Sequence, residues 1–359
     1  KIWGDAGSEI FPTSAQISDD AVIAYQEKRY GCWRCPISCG GHVKVKSGPF
    51  ASVTHKPEYE TLGSYGTLCL NDNVESIIKA NEICNKMGLD TISAGCTIAF
   101  AIECYENGLI TKEDTGGIEL KWGNAEAITE MSEKLAKREG FGDILADGVK
   151  IAAEKIGKGS EQYAVHVGGQ EVPMHDPKFT HGLTVTYLLD ATPGRHTQGG
   201  ELISPGSGMD LTKPEPRTYT GRAELQRELS NLMHIVNAAG LCMFGYAAMP
   251  VDSLFEFMSS VTGWDYSLEE CQTTGERIGT LRHAFNLREG HNPLDRQFSG
   301  RIIGSPPLSR GPLKDVSIDK ETMIKEYLEL VDWDQKTMVP SKNALAKLGL
   351  DDVAKDIWK

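Results

Sequence analysis

The sequence has no long hydrophobic run and no excess of positive charge. Its 359 residues contain no stretch of about 18 apolar residues, the length that a membrane-spanning helix needs. Lysine and arginine total 37 against 50 aspartate and glutamate residues, which gives a formal net charge of −13. A chain this acidic does not suit the anionic surface of a nucleic acid or of a membrane. Small molecules, and proteins with a complementary face, remain as partners.

The sequence also lacks an initial methionine and shows no secretory leader. It begins Lys1-Ile2-Trp3-Gly4, a start that predicts either a fragment of a longer chain or a chain completed by a partner polypeptide. Nine cysteines, an odd number in a large chain, favour reduced thiols over a disulfide framework. Together these features predict a cytoplasmic protein.

Helical periodicity dominates the sequence from Val74 onward, and no repeat of about 20–50 residues recurs. The first predicted helix begins at Val74 and ends at Gly88. Further helices are predicted near 92–106, 125–138, 142–156, 223–239, 252–261, 268–288, 320–331 and 341–357. Short strands are predicted near 42–46, 52–55 and 163–167. A single core rarely exceeds about 250–300 residues, so we expect two domains, 1–160 and 161–359. The predicted fold class is mainly α, with two helical domains and few short strands.

Three cysteines within eight residues give the strongest chemical signal. Thiolates spaced like Cys32, Cys35 and Cys39 can ligate one [4Fe–4S] cluster, which needs a fourth cysteine. Zinc is the main alternative, since His42 or His55 could complete a Cys3His site, although no second Cys-x-x-Cys pair follows. A third interpretation is that the cysteines bind nothing. The spacing does not choose the fourth ligand among Cys69, Cys84, Cys96, Cys104, Cys242 and Cys271.

Two similar strings, 85–90 and 237–242, have the form Asn-x-x-Gly-Leu-(Asp/Cys) at the end of a predicted helix. Glycine there permits the left-handed turn that ends a helix, which explains the pattern without any function. The functional interpretation is that equivalent turns direct backbone groups and a polar side chain at two halves of one ligand. The second string places Cys242 on such a turn, where it could reach a cluster.

The strings 57–61 (PEYET) and 192–197 (TPGRHT) offer two general acid–base candidates by residue type, Glu60 and His196. Each residue also has an ordinary explanation. A glutamate near a turn is usually a solvated charge or a helix cap, and a histidine beside an arginine is often a surface residue.

Taken together, these strings resemble the tungsten-containing aldehyde ferredoxin oxidoreductase family, in order and rough spacing over nearly the whole chain. The other segments that carry the resemblance are 85–101 (NKMGLDTISAGCTIAFA), 166–174 (HVGGQEVPM), 286–290 (NLREG) and a tail with Trp333-Asp334, Pro340 and Leu348-Gly349-Leu350. The resemblance implies the two helical domains of the C-terminal part of that family, and the family's N-terminal β-rich domain is absent from these residues.

The resemblance implies tungsten, or molybdenum, held by two pterin cofactors, and one [4Fe–4S] cluster that passes electrons to ferredoxin or to an iron–sulfur subunit. The implied cluster ligands are Cys32, Cys35, Cys39 and Cys242. The implied pterin contacts are Asn85, Leu89, Asp90, Arg195, Asn237 and Leu241. In this scheme Glu60 accepts a proton as the substrate is oxidised, and His196 donates a hydrogen bond to an oxygen atom at the metal.

The reaction that the resemblance implies is oxidation of an aldehyde to a carboxylic acid. One alternative is the tungsten subunit of a class II benzoyl-coenzyme A reductase, because residues 200–210 depart from the pattern expected of simple aldehyde enzymes. Another is an electron-transfer subunit without tungsten, because Asn85 and Asn237 stand where the family often has aspartate. An acidic ferredoxin would need a basic patch, for which Arg301, Arg310 and Lys314 are candidates. The sequence leaves open whether the protein is a homodimer or a hetero-oligomer.

Overall fold

A computed structural model describes residues 1–209 and 215–358 of the protein. Helices prevail over a few short strands, which confirms the predicted fold class. The helices are α1 Asp19–Ile23, α2 Tyr59–Leu62, α3 Val74–Met87, α4 Thr91–Glu106, α5 Ala125–Lys137, α6 Phe141–Leu145, α7 Val149–Ile156, α8 Leu183–Leu189, α9 Arg222–Ala238, α10 Met243–Ala247, α11 Val251–Thr262, α12 Leu268–Arg288, α13 Lys320–Leu330, α14 Lys342–Lys347 and α15 Asp351–Ile357. The strands are β1 Gln26–Tyr30, β2 Gly40–Val45, β3 Ser52–His55, β4 His166–Val167 and β5 Gln170–Glu171.

The chain divides into two compact units. Unit 1 comprises Lys1–Met174 and Ser299–Val316, and unit 2 comprises His175–Phe298 and Ser317–Lys359. The sequence placed a soft boundary near residue 160, inside unit 1, and gave no sign that a later segment returns to unit 1. No helix in the described residues has the length and apolar character needed to cross a membrane.

Two ion pairs fasten the returning segment 299–316 within unit 1. The Arg301 guanidinium donates to both carboxylate oxygens of Glu103, at 2.8 and 3.0 Å. The Arg310 guanidinium donates in the same two-pronged way to Asp5, with both distances 2.9 Å. Paired hydrogen bonds of this kind fix orientation as well as distance.

A three-stranded antiparallel sheet in unit 1 has one buried and one exposed face. β2 lies in the middle, between β1 and β3. Side chains alternate along a strand, so Val43 and Val45 of β2 point inward and pack with Val22 and with Ile78 of α3. The opposite face carries His42 and, across the strand pair, His55.

Helix α4 is the most deeply buried helix segment of unit 1, as its nearly uniform apolar sequence predicts. A glycine sets how closely α4 approaches the π-helical turn Gly63–Thr67, which continues α2. A methyl group at Gly95 would lie 2.6 Å from Cβ of Ser64, so a larger residue would push the two segments apart. Because α2 carries Glu60, this close approach helps to fix the position of that carboxylate.

The core of unit 2 forms where α9, α10, α11 and α12 meet. The buried residues of this core are Leu232, Met233, Ile235, Val236, Tyr246, Val251, Leu254 and Cys271. The helix α9 ends at Ala238, within the second Asn-x-x-Gly-Leu string (237–242). The core therefore holds the start of that turn in place.

Two predicted helices are each divided in two. The predicted helix 142–156 breaks at Gly148, whose φ of 86° is left-handed. There the Glu171 carboxylate accepts a hydrogen bond of 2.7 Å from the backbone N–H of Val149 and so starts α7. The predicted helix 341–357 breaks at Gly349, with φ of 66°. The predicted strand 163–167 is a 3-10 turn followed by the two-residue strand β4.

Candidate functional site

The first three cysteines lie on the loop that joins β1 to β2, with Cys32 and Cys39 exposed and Cys35 half-buried. The backbone N–H of Cys35 donates to the carbonyl of Cys32 at 3.0 Å, which closes a tight turn. Arg34 adopts a left-handed φ of 56°, a conformation unfavourable for a residue with a side chain. The loop is therefore a compact structure with its sulfur atoms at or near the surface.

The guanidinium of Arg29, on β1, holds the far end of this loop. It donates to the carbonyl of Ile37 at 3.1 Å and to that of Ser38 at 3.2 Å. Ser38 is also left-handed, with φ of 48°. Such backbone strain persists where the surrounding structure determines it and is common at ligand sites.

Five of the other six cysteines are buried. Burial raises the pKa of Cys69 and of Cys104 to about 12, and that of Cys84 and of Cys271 to about 11. Burial also raises the pKa of Cys96, whose Sγ lies 3.8 Å from the carbonyl oxygen of Val172. A metal cluster binds the thiolate, and burial opposes loss of the thiol proton at these five positions.

Cys242 is the remaining cysteine, and it is exposed. It follows the turn Asn237–Leu241 and precedes α10 in unit 2. The four accessible or half-buried cysteines of the chain are thus Cys32, Cys35, Cys39 and Cys242. This donor set has the composition that a [4Fe–4S] cluster requires.

The two histidines of the zinc alternative belong to an aromatic group on the exposed face of the sheet. The Tyr30 hydroxyl lies 2.7 Å from Nδ1 of His55, and the rings of Tyr30 and His42 have centroids 4.8 Å apart. In the described part of the chain, the sulfur atoms of Cys32, Cys35 and Cys39 do not all lie within 4.8 Å of one another. Three sulfur ligands and one of these histidines would make a tetrahedral zinc site, the alternative that metal analysis separates from an iron–sulfur cluster.

Both Asn-x-x-Gly-Leu strings are helix-ending turns of the same geometry. Gly88 and Gly240 are left-handed, with φ of 72° and 69°. The backbone N–H of the following leucine bonds the carbonyl five residues earlier at 2.9 Å, from Leu89 to Cys84 and from Leu241 to Val236. This is the Schellman arrangement, so the common glycine and leucine are explained by chain geometry alone.

The polar residues of the two turns have different partners. Asp90 caps α4, because its Oδ1 accepts a hydrogen bond of 2.9 Å from the backbone N–H of Ile92. The side-chain amide of Asn237 donates to the carbonyl of Thr197 at 3.0 Å. Asn85 is exposed. The second turn is therefore attached to the segment that carries Arg195 and His196.

A groove of unit 1 runs beside the first turn, with a volume of about 640 Å³. Leu89 and Asp90 line one side of it, and Asp147, Gly148 and Glu171 line another. Its walls combine backbone at a glycine with carboxylates, the kind of surface that can hydrogen-bond a polar ring system.

Glu60 lies at the start of α2 and is only 9% exposed. Its Oε2 accepts a hydrogen bond of 2.8 Å from the backbone N–H of Met174. The Met174 side chain in turn packs on Gly63, where a methyl group would lie 2.4 Å from its Cγ. The Glu60 carboxylate is therefore held at a fixed point and is not a solvated surface charge.

His196 lies in unit 2 and is 5% exposed. Its ring contacts that of His175, with centroids 4.5 Å apart. Burial, and to a lesser extent the neighbouring His175 and Arg195, together lower the pKa of His196 to about 3. His196 is therefore neutral at physiological pH, so it can donate a hydrogen bond without carrying charge. It is not the surface residue that its neighbouring arginine suggested.

His175 was not singled out from the sequence, although it immediately follows the matched segment 166–174. Burial also lowers its pKa, and its carbonyl accepts a hydrogen bond of 2.8 Å from the Tyr187 hydroxyl. Arg195 is half-buried and donates to the carbonyl of Gly194 at 2.8 Å. A motif search could have found His175 only through its position after Met174.

A polar cavity of about 580 Å³ in unit 2 also escaped sequence analysis. Arg282 donates to the Thr192 hydroxyl at 2.9 Å and lies 3.4 Å from both Asp190 Oδ1 and His234 Nδ1. Burial lowers the pKa of His234 and of His283 to about 4. The segment 200–210 that motivated the reductase alternative is described only to residue 209, because Asp210 lies outside the described residues.

The profile of the family described as "Aldehyde ferredoxin oxidoreductase, domains 2 & 3" matches residues 3–350. The chain belongs to the aldehyde ferredoxin oxidoreductase family. Its resemblance to that family, inferred from the motifs, is confirmed. Membership makes it part of an oxidoreductase family whose named relatives contain tungsten.

Curated relatives in this family include the tungsten-containing aldehyde ferredoxin oxidoreductases of Pyrococcus abyssi and Thermococcus kodakarensis. The first is 34% identical over 349 residues, covering 96% of this chain and 56% of the relative. The second is 32% identical over 339 residues, covering 93% and 55%. The aliphatic sulfonate oxidoreductase, WOR-like subunit, of Pyrococcus furiosus is 28% identical over 347 residues, covering 92% and 52%. The chain spans a little over half the length of the relatives it matches.

A solved structure supports the fold independently of sequence. The active-site complex BamBC of benzoyl-coenzyme A reductase, solved with 1,5-dienoyl-CoA, superposes with a TM-score of 0.70 at 21% identity. The match covers 93% of this chain and 54% of that one. At this identity the likeness shows a shared fold and does not choose a substrate.

Proposed function

We propose that this chain forms the part of a tungsten–bispterin oxidoreductase that carries one [4Fe–4S] cluster and oxidises aldehydes to carboxylic acids. The observation that carries the proposal is the division of the nine cysteines. The four cysteines that the family resemblance implies as cluster ligands are the accessible or half-buried ones. The other five are buried in the core.

The proposed cluster ligands are Cys32, Cys35, Cys39 and Cys242. All four sulfur atoms are at or near the surface of their unit, where iron can reach them. The first three are supplied by the strained loop of unit 1, and the fourth follows the helix-ending turn of unit 2. When bound, tungsten would supply two-electron oxygen-transfer chemistry and the cluster would relay electrons singly.

The two Gly-Leu turns are the proposed pterin contacts, through Asn85, Leu89 and Asp90 on one turn and Asn237 and Leu241 on the other, with Arg195 beside the second. Each turn presents backbone groups at a left-handed glycine, where no side chain blocks a flat ligand. The polar groove beside Leu89 and Asp90 supports the first contact. The hydrogen bond from Asn237 to Thr197 supports the second, because it attaches the turn to the segment that carries Arg195.

The overall reaction converts an aldehyde and water to a carboxylic acid, two protons and two electrons. Glu60 is the proposed proton acceptor, since its carboxylate is buried and fixed by the backbone N–H of Met174. His196 is the proposed hydrogen-bond donor to the substrate oxygen. Its lowered pKa keeps it neutral, so it orients the substrate without acting as a strong acid.

The proposal can be tested on the full-length protein purified without oxygen. We expect about one tungsten and about four iron atoms per chain by elemental analysis, and aldehyde-dependent reduction of a viologen dye. Glu60→Gln should lower kcat by about a hundredfold or more, the usual range for loss of a general base, while tungsten and iron content stay unchanged. Loss of metal in this variant would instead mean that Glu60 has a structural role.

The alternatives predict other outcomes of the same experiment. Iron without tungsten or molybdenum, with no aldehyde oxidation, would favour the electron-transfer subunit. Metal-replete protein that acts on aromatic thioesters and not on aldehydes would favour the reductase. Zinc in place of iron would overturn the cluster assignment.

A further inference from the structure

We propose that the exposed face of the three-stranded sheet, together with the cysteine loop, is the docking surface for a small acidic electron-carrier protein. We call this surface the basic face and define it by Lys28, Tyr30, Trp33, Arg34, His42, Lys44, Lys46 and His55. The inference rests on the proposed function, because it assigns a place to the partner that accepts electrons from the cluster.

The charge along the chain is strongly uneven at this point. Residues 26–56 contain six lysines and arginines and one acidic residue, Glu27, for a net charge of +5. Since the whole chain carries −13, the remainder carries −18. No aspartate or glutamate occurs from residue 28 to residue 57, although the chain averages one per seven residues. The segment with no acidic residues is the one that contains the cysteine loop.

The fold brings these charges to one side of the sheet. Lys28 pairs in register with His42, and His42 with His55, so the three side chains form a row across the strands. Lys44 lies two residues beyond His42 on the same exposed face. Glu27 and Glu75 border a groove that also includes Lys44 and Lys46. Oε1 of Glu27 lies 3.9 Å from the Lys44 ammonium. That distance and the exposure of both groups make it a weak ion pair.

An exposed tryptophan lies between two of the proposed cluster ligands. Trp33 is 85% exposed, and the guanidinium of Arg34 lies 4.7 Å from its ring centroid. The exposed ring packed on an arginine would offer a partner protein an apolar contact beside a positive charge. Tryptophan and arginine are also the residues most often found at the energetic centre of protein interfaces.

Two of the three basic residues inferred from sequence for an electron-carrier site are unsuitable, because their charges are already neutralised. Arg310 is bound to Asp5, and Arg301 to Glu103, in two-pronged ion pairs that hold segment 299–316 within unit 1. Lys314 lies 3.8 Å from Asp315, a pair as weak as that of Lys44 with Glu27, and it is a single charge. Among the residues that the structure describes, the basic face takes part in no two-pronged ion pair, so its field is available to attract an acidic protein.

The partner that fits this face is a small acidic iron–sulfur protein that accepts one electron at a time. Complementary charge raises the rate of encounter and fixes orientation, and it would bring the carrier directly over the cysteine loop. Two carriers would each take one electron for every aldehyde oxidised. The −18 charge on the rest of the chain would repel the same carrier from other approaches.

The test uses the full-length holoenzyme with two electron acceptors, a purified acidic 2[4Fe–4S] ferredoxin and methyl viologen. Lys28→Glu/Lys46→Glu reverses two exposed charges on the basic face and touches no proposed ligand. Lys325→Glu/Lys336→Glu makes the same change in charge on exposed residues of unit 2. We expect the first variant to raise the KM for ferredoxin about tenfold at low ionic strength. This difference should shrink at high salt, as screening requires.

Activity with methyl viologen and iron per chain should be unchanged in both variants. An unchanged ferredoxin KM in the Lys28/Lys46 variant, or an equal rise in both variants, would overturn the docking site. Either result would mean that the electron carrier does not dock on this face. Failure of the proposed function is a different result, in which the wild type fails to reduce viologen with an aldehyde. In that case ferredoxin binding, measured by titration at two salt concentrations, still tests the face.

Trp33→Ala provides a second, uncharged test. We expect a rise in ferredoxin KM of about three- to tenfold that persists at high salt, because the lost contact is apolar. Iron per chain should stay at the wild-type value. A Trp33→Ala variant with wild-type ferredoxin KM and full iron would remove the apolar centre from the proposal and contradict it.

Discussion

The nine cysteines form two groups whose surroundings could hardly differ more. Four are accessible or half-buried and lie on a strained loop or directly after a helix-ending turn. Five are buried in the core, where burial raises the thiol pKa, to about 11 or 12 at four of them. Spacing along the sequence identified three of the first group and left six candidates for the fourth. Of those six, Cys242 is the accessible one, and it is also the ligand that the family resemblance implies, so exposure supports a proposal that spacing leaves open.

The largest effect expected from this contrast is loss of iron on substitution of an accessible cysteine. Cys242→Ser in the full-length protein should remove most of the iron, or convert the cluster to a three-iron form, because serine is a poor ligand for this cluster. Iron analysis and electron paramagnetic resonance of the dithionite-reduced protein measure this directly. Cys271→Ser, in the core of the same unit, is the matched control and should keep its iron. Equal iron loss in both variants would abolish the distinction between the groups.

A large difference in thiol reactivity is the second expectation. After anaerobic removal of iron with a chelator, iodoacetamide at pH 8 should label Cys32, Cys35, Cys39 and Cys242 in the native protein. A thiol with a pKa of about 11 is ionised in only about one molecule in a thousand at that pH, and burial blocks the reagent as well. The core cysteines should therefore react only on unfolding. Peptide mass spectrometry assigns the labelled sites, and native-state labelling of Cys69 or Cys104 would contradict the grouping.

The smallest expected effect is a loss of stability without loss of iron. Cys69 is fully buried, and its thiol lies 3.5 Å from the carbonyl oxygen of Ser64. Cys69→Ser keeps a donor but adds polarity to the core, so we expect the free energy of unfolding to fall by roughly 1–2 kcal/mol. Thermal unfolding of the anaerobic protein measures this, with iron per chain as the second readout. Cys69→Ala separates the hydrogen bond from packing, and iron loss in either variant would mean that a core thiol serves the cluster.

Periodicity predicted most of the helices, because a helix that buries one face must repeat its apolar residues every 3.6 positions. It could not place the breaks at Gly148 and Gly349, since a glycine inside an apolar pattern does not by itself end a helix. At Gly148 the decisive contact is the Glu171 carboxylate, a residue more than twenty positions away. Breaks that depend on such distant partners are invisible to a local pattern.

The site shows the same limit. Residue type alone gave Glu60 and His196 only as candidates, and the resemblance assigned their roles. That Glu60 is fixed by the Met174 N–H, and that His196 is buried against His175, depends on contacts between segments distant in sequence. The basic face was missed for another reason. Its charges are visible in the sequence, but they gain meaning only when three strands bring them to one side of a sheet.

The return of residues 299–316 to unit 1 has a consequence for synthesis on the ribosome. Unit 1 cannot make the pairs from Arg301 to Glu103 and from Arg310 to Asp5 until the whole of 175–298 has been translated. Those 124 residues take roughly 6–25 s at ordinary elongation rates of about 5–20 residues per second. During that interval Glu103 and Asp5 lack their partners Arg301 and Arg310. Unit 1 therefore completes its structure only after most of unit 2 has been synthesised.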